Sequence, residues 1–143
     1  MITQSRIIFI LVATFALAAC ETLETGLGKA DDAFLNRDPQ TLLDEGATRL
    51  NAAQAKAHVS GNTEFWKAGT IFYDPDGQLK LVWQRIKSTG NWEIDADGNV
   101  CFSVPTWKDR CHYYLDLDGT ITIVRNDKIH GVSKVEQGDK SLR

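Results

Sequence analysis

The sequence predicts a mainly β protein: an antiparallel meander of about eight strands forming a small up-and-down barrel or strongly curved sheet, preceded by one or two short N-terminal helices. Two observations carry that expectation. Three turns share one template, Asp74-Pro75-Asp76-Gly77, Asp95-Ala96-Asp97-Gly98 and Asp116-Leu117-Asp118-Gly119, each starting 21 residues after the one before. Each is followed by apolar residues alternating in the same phase, Leu79 and Leu81, Val100 and Phe102, Ile121 and Ile123, the period-two pattern of a strand with one buried face. A two-strand unit therefore repeats three times. Further strands around 63–66 and 131–135 bring the total to about eight, the number at which a barrel is filled by its own side chains or holds one small ligand. Closure also removes the edges that would pair with other chains.

The N-terminus has a different character. A short polar start with one cation, Arg6, precedes the uncharged run IIFILVATFAL, and strongly polar sequence follows soon after. The apolar run is shorter than the roughly 20 residues a spanning helix needs, and the layout is that of a signal peptide over 1–19. Leu17-Ala18-Ala19-Cys20 resembles the lipobox of bacterial lipoproteins, which makes Cys20 the expected lipidation site and mature N-terminus. The alternative is an ordinary signal peptide with a coincidental cysteine. Several acyl chains such as palmitate on one cysteine anchor firmly, since each buried methylene adds about 0.8 kcal/mol. Glu21 stands where an aspartate would resemble an inner-membrane retention signal, so the expected location is the periplasmic face of the outer membrane.

After Cys20, residues 20–37 read as a tether with a short helical turn around 30–35, and 38–143 as one domain. Asp38-Pro39 starts a helix with an N-cap side chain and proline at the first helical position, with Leu42, Leu43 and Leu50 as its apolar face. Asn51-Ala52-Ala53-Gln54 is a capping box opening a second, short helix that stops at Ser60-Gly61. Loss of 1–19 removes one of the 16 basic residues and none of the 19 acidic ones, so a net charge of −3 becomes −4. An acidic balance with no basic run argues against nucleic acid and against electrostatic adhesion to anionic lipid.

The Asp-x-Asp-Gly turns invite a calcium reading, but position twelve of an EF-hand counted from each glycine is Trp83, Val104 or Arg125, so the bidentate glutamate is missing. Tight hairpin turns explain the motif better. With Cys20 acylated, Cys101 and Cys111 remain, and in an oxidising compartment a disulfide is expected, closing a short loop worth about 3 kcal/mol. Zinc on Cys101, Cys111 and His112 is the alternative, weakened by the lack of a fourth ligand at a recognised spacing. The strand phases conflict here: the repeat turns Phe102 inward and Cys101 outward, whereas Tyr113 and Leu115 inward would carry Cys111 inward. A β-bulge between Ser103 and Arg110, or a misread facing, would resolve it. His58, His112 and His130 are scattered and no nucleophile motif is present. No catalytic residue, metal ligand or cofactor is therefore assigned.

Four tryptophans are many for 143 residues. Trp83 and Trp92 fall in the inward phase, and with Tyr73 and Tyr113 they form the expected barrel interior. Trp107 lies among Pro105, Lys108 and Arg110 at a hairpin tip. Trp107, Lys108 and Arg110 are the expected contact surface, the alternative being that Trp107 folds back over the barrel mouth.

Ser60-Gly61-Asn62-Thr63, the aromatic strand before Asp76-Gly77, Gly90-x-Trp92-x-Ile94, Cys101-Phe102 and Cys111 together resemble a family of small uncharacterised lipoproteins and secreted proteins of Gram-negative bacteria. The resemblance covers about 50–124 and implies a compartment and a β-rich fold, with no activity or site residue. The leading expectation is a non-enzymatic, lipid-anchored binding module facing the periplasm, with an envelope protein, a glycan or a small ligand as partner. The alternatives are a ligand carrier or enzyme with its site inside the barrel, a structural envelope protein, and an inhibitor of a cell-wall hydrolase such as lysozyme, whose membrane-bound inhibitors have a similar layout.

Overall fold

A computed structural model describes residues 35–141, the side chains of Lys108 and Asp109 excepted. The expected signal peptide, Cys20, most of the tether and nearly all of the helical turn around 30–35 lie outside the described residues. Two helices and ten strands follow in chain order: α1 (Pro39–Asp44), β1 (Thr48–Arg49), α2 (Ala52–Val59), β2 (Asn62–Trp66), β3 (Gly69–Tyr73), β4 (Gln78–Trp83), β5 (Ile86–Ile94), β6 (Val100–Val104), β7 (Trp107–Leu117), β8 (Thr120–Arg125), β9 (Lys128–Val132) and β10 (Lys134–Gln137).

Every strand pair is antiparallel, and the order is β10-β2-β3-β4-β5-β6-β7-β8-β9, with β1 beside β7. The two ends of that order are consecutive in the chain, joined only by Ser133. β9 and β10 are thus two halves of one bent strand. The first half pairs with β8, through Thr122↔Val132 and Arg125↔Lys128, and the second with β2, from Lys134↔Phe65 to Gln137↔Asn62. Counted this way the sheet has eight staves and is nearly closed into a barrel. The seam stays open where β9 passes β2, because those two strands are not hydrogen-bonded neighbours.

The turns divide between the two ends. At one end four two-residue hairpins bring Trp66 opposite Gly69, Trp83 opposite Ile86, Val104 opposite Trp107 and Arg125 opposite Lys128. Gln84 and Arg85, and likewise Asn126 and Asp127, take positive φ, the backbone of hairpin turns whose twist matches that of the strands. At the other end lie the Asp-x-Asp-Gly turns. Asp74 Oδ1 accepts from the Asp76 amide, and Asp95 Oδ1 from the amides of Asp97 and Asn99, so these aspartates serve the turn backbone. Among the described residues no group of three or more His, Cys, Asp or Glu is placed to hold a metal.

α2 closes this second end. Asn51 and Gln54 cap each other reciprocally, as the sequence motif requires. Ala55 and Val59, one helical turn apart, are fully buried in the core. The start of α2 rests on the Asp95–Asn99 turn so tightly that a Cβ on Gly98 would lie 2.6 Å from the Leu50 carbonyl oxygen, and Arg49 Nη2 donates to Asn99 Oδ1 at 2.7 Å. The end of α2 meets the Asp74–Gly77 turn, with Gly61 beside Pro75.

The barrel interior holds Tyr73, Leu79, Leu81, Trp92, Val100 and Phe102, among others, in the phase expected from the repeat. A second, smaller core lies outside the barrel, where Leu42, Ala47, Leu115, Val124 and Ile129 pack under α1. This corrects two readings. Leu50 does not belong to α1, because Gly46, with φ +101, ends that helix and turns the chain into β1. Tyr113 is not an interior residue: it packs against the outer core, with the Arg49 guanidinium 4.1 Å from its ring centre. An apolar outer face under α1 looks, in sequence, the same as an inner one. Cys101 and Cys111 are direct cross-strand partners and form a disulfide. Both point outward, so His112 and Tyr114 take the inward positions and the inward facing expected of Tyr113 and Leu115 is the misread one; a register shift also lies nearer the hairpin, between Phe102 and Val104.

Candidate functional site at the barrel mouth

The hairpin end is open, and a cavity of about 200 Å³ occupies it. Its apolar wall is Trp66, Trp83, Trp107 and Ile123. The tryptophans come from the ends of three different strands and pack edge to face: Trp83 meets Trp66 at 6.0 Å and Trp107 at 5.1 Å between ring centres, with interplanar angles of 78° and 73°. Such offsets set each electron-rich face against a positive ring edge.

The polar wall carries three cations, Lys67, Arg110 and Arg125, and two histidines, His112 and His130. The Arg110 guanidinium carbon stands 4.8 Å from the Trp107 ring centre, a cation–π contact worth about 0.5–1 kcal/mol at an exposed position. Arg125 Nη2 lies 3.3 Å from His130 Nδ1. Among the described residues no carboxylate pairs with Lys67, Arg110 or Arg125. Burial and the neighbouring Arg110 hold the Arg125 pKa below its ordinary value, and burial and Arg125 do the same for His130. Three of the 16 Lys and Arg residues of this acidic protein line one aromatic hollow.

Beneath the cavity lies a fully buried carboxylate, Glu64 on β2. It accepts from Trp66 Nε1 at 2.9 Å, Tyr73 OH at 3.2 Å, Tyr114 OH at 3.0 Å and the Ser133 hydroxyl. Four donors fill the acceptor sites of a carboxylate. The network continues at both sides: His58 Nε2 is 2.8 Å from Ser133 Oγ, and His112 Nε2 is 2.9 Å from Tyr114 OH. Ser133 and Tyr114 give their protons to Glu64, so each must accept from its histidine. Both imidazoles therefore carry a proton on Nε2. Burial lowers the pKa of His58, and burial with Arg125 and His130 nearby brings that of His112 to about 3. Burial and the adjacent Glu64 charge push both tyrosines well above 10.

Of the residues singled out from sequence, Trp83, Trp107 and Arg110 meet at the mouth. Lys108 falls in β7, and its side chain is outside those described. Tyr73 and Trp92 lie in the packed interior, 5.4 Å apart in an edge-to-face contact, with Trp92 Nε1 donating to the Asp74 carbonyl. Neither lines the cavity. Sequence reasoning missed Glu64, Lys67, His112, Tyr114, Arg125, His130 and Ser133. One signal was present: Trp83, Val104 and Arg125 are spaced by 21 residues, so the repeat itself marks the mouth positions.

Among the described residues no helix is long and apolar enough to cross a membrane. No protein-family profile, curated protein or solved structure matches the chain.

Proposed function

We propose that this chain is a lipid-anchored envelope protein, held through Cys20 and a tether, whose barrel mouth binds a small anionic ligand. The observation that carries the reading is the set of cations without carboxylate partners around a hollow walled by three tryptophans. Cations brought together without counter-charge repel one another, and an anion entering from solvent relieves that repulsion in a partly dewatered site where charge interactions are stronger than in water. Apolar walls with a few convergent polar groups are the usual composition of a ligand site. The volume fits a compact molecule, and the cations face into a hollow. Both favour a small ligand over a flat protein partner.

The test is a titration of small carboxylates, phosphates and sulfates into the protein, read by tryptophan fluorescence. Binding should perturb the emission of the mouth tryptophans, and affinity should fall as salt rises. No response to any of these anions at millimolar concentration overturns the reading. Labelling with palmitate in the producing cell, lost on Cys20→Ser, tests the anchor.

A further inference from the structure

The mouth carries one more polar group, of the opposite hydrogen-bonding sense. His112 is 4 % exposed and lines the cavity. Its Nε2–H is committed to Tyr114 OH, which leaves Nδ1 as a lone-pair acceptor. Among the described residues Nδ1 has no partner, and the one side-chain polar atom that is both sealed and unpartnered is Thr122 Oγ1. His112 Nδ1 is therefore open to the cavity.

We propose that the ligand is an acidic sugar unit, a compact saturated ring carrying both a carboxylate and hydroxyl groups. This rests on the reading of the mouth as an anion site and narrows it. The carboxylate answers Arg110, Arg125 and Lys67. A hydroxyl donates to His112 Nδ1, and other hydroxyls accept from the cations that the carboxylate leaves unsatisfied. The C–H face of the ring lies on a tryptophan. A flat aromatic acid fits less well, because it brings too few polar groups for the five polar side chains that line the cavity.

Ligand variation tests this on the intact protein without any substitution that endangers the fold. Four probes are titrated calorimetrically at low salt: D-glucuronate, cyclohexanecarboxylate, methyl glucoside and salicylate. Glucuronate is expected to bind at least tenfold more tightly than the other three. The ¹⁵N resonance of His112 Nδ1 should move toward the hydrogen-bonded position with glucuronate and stay in place with cyclohexanecarboxylate. Cyclohexanecarboxylate or salicylate binding as tightly as glucuronate overturns the sugar assignment and leaves the anion site standing. Methyl glucoside matching glucuronate, or none of the acids binding, overturns the anion site as well.

Discussion

The two ends of this barrel are built from the same hairpin repeat and treat polar groups in opposite ways. At the α2 end, turn aspartates bond their own backbone, Asn51 and Gln54 cap each other, and His58, through Ser133, joins a carboxylate whose acceptor sites are filled. At the mouth, Lys67, Arg110 and Arg125 stand without carboxylates, and His112 Nδ1 without a donor. Interior polar groups that are fully paired rigidify a fold. Groups left unpaired at an opening are reached by water, which a ligand can replace. One end holds the protein together, and the other is where the proposed ligand would enter.

The largest effect should come from breaking the paired side. Glu64→Leu strands the donors of Trp66, Tyr73, Tyr114 and Ser133 together. At about 1–3 kcal/mol for each buried group left unsatisfied, a loss of about 4 kcal/mol or more is expected, a large share of the roughly 5–15 kcal/mol a domain has. Glu64→Gln keeps an acceptor oxygen and should cost less. Urea denaturation measures both, and a loss below about 1 kcal/mol for the leucine variant would show that the network is not what secures the interior.

His112 belongs to both halves of the comparison, and pH separates them. Its folded pKa of about 3 lies below the ordinary 6.5, so the folded state binds fewer protons than the unfolded one. Stability is then full above pH 6.5 and declines as pH falls toward 3, with a slope of about 1.4 kcal/mol per pH unit from this residue. The pKa values of His58 and His130 shift the same way. Denaturation at pH 7, 6 and 5.5 reads this slope above most of the carboxylate titration, and His112→Gln should reduce it even if it lowers stability at every pH. A flat profile from pH 6.5 to 5.5 contradicts the buried neutral imidazole.

What the sequence exposed follows the same division. The α2 end was legible because its chemistry is local: a capping box spans four residues and an Asp-Gly turn two or three, and both behave as their motifs require. The disulfide was legible from cysteine count. The mouth was not, because its members come from four hairpins and meet only once the staves are wrapped into a barrel. Arg125 and Trp83 share a repeat position yet carry opposite chemistry, so composition gave no cue. Tyr113 and Tyr114 show the other limit. Both are aromatic, one packs outside under α1 and one inside on Glu64, and only the register set by the Cys101↔Cys111 pair distinguishes them.

The smallest expected effect on stability is also the one that bears most directly on the mouth. Arg125 donates to no carboxylate among the described residues, and its side-chain partner there, His130 Nδ1, is at 3.3 Å. Replacing it with alanine removes a cation that Arg110 repels. Stability should change by no more than about 0.5 kcal/mol, with a small gain the favoured direction and larger at low salt, where repulsion is least screened. Anion affinity should fall by tenfold or more in the same variant. A residue that served the fold would show the reverse, a clear loss of stability with binding reduced only as far as the folded fraction is reduced. Measuring both quantities on Arg125→Ala therefore decides whether the mouth cations are placed for the barrel or for its ligand.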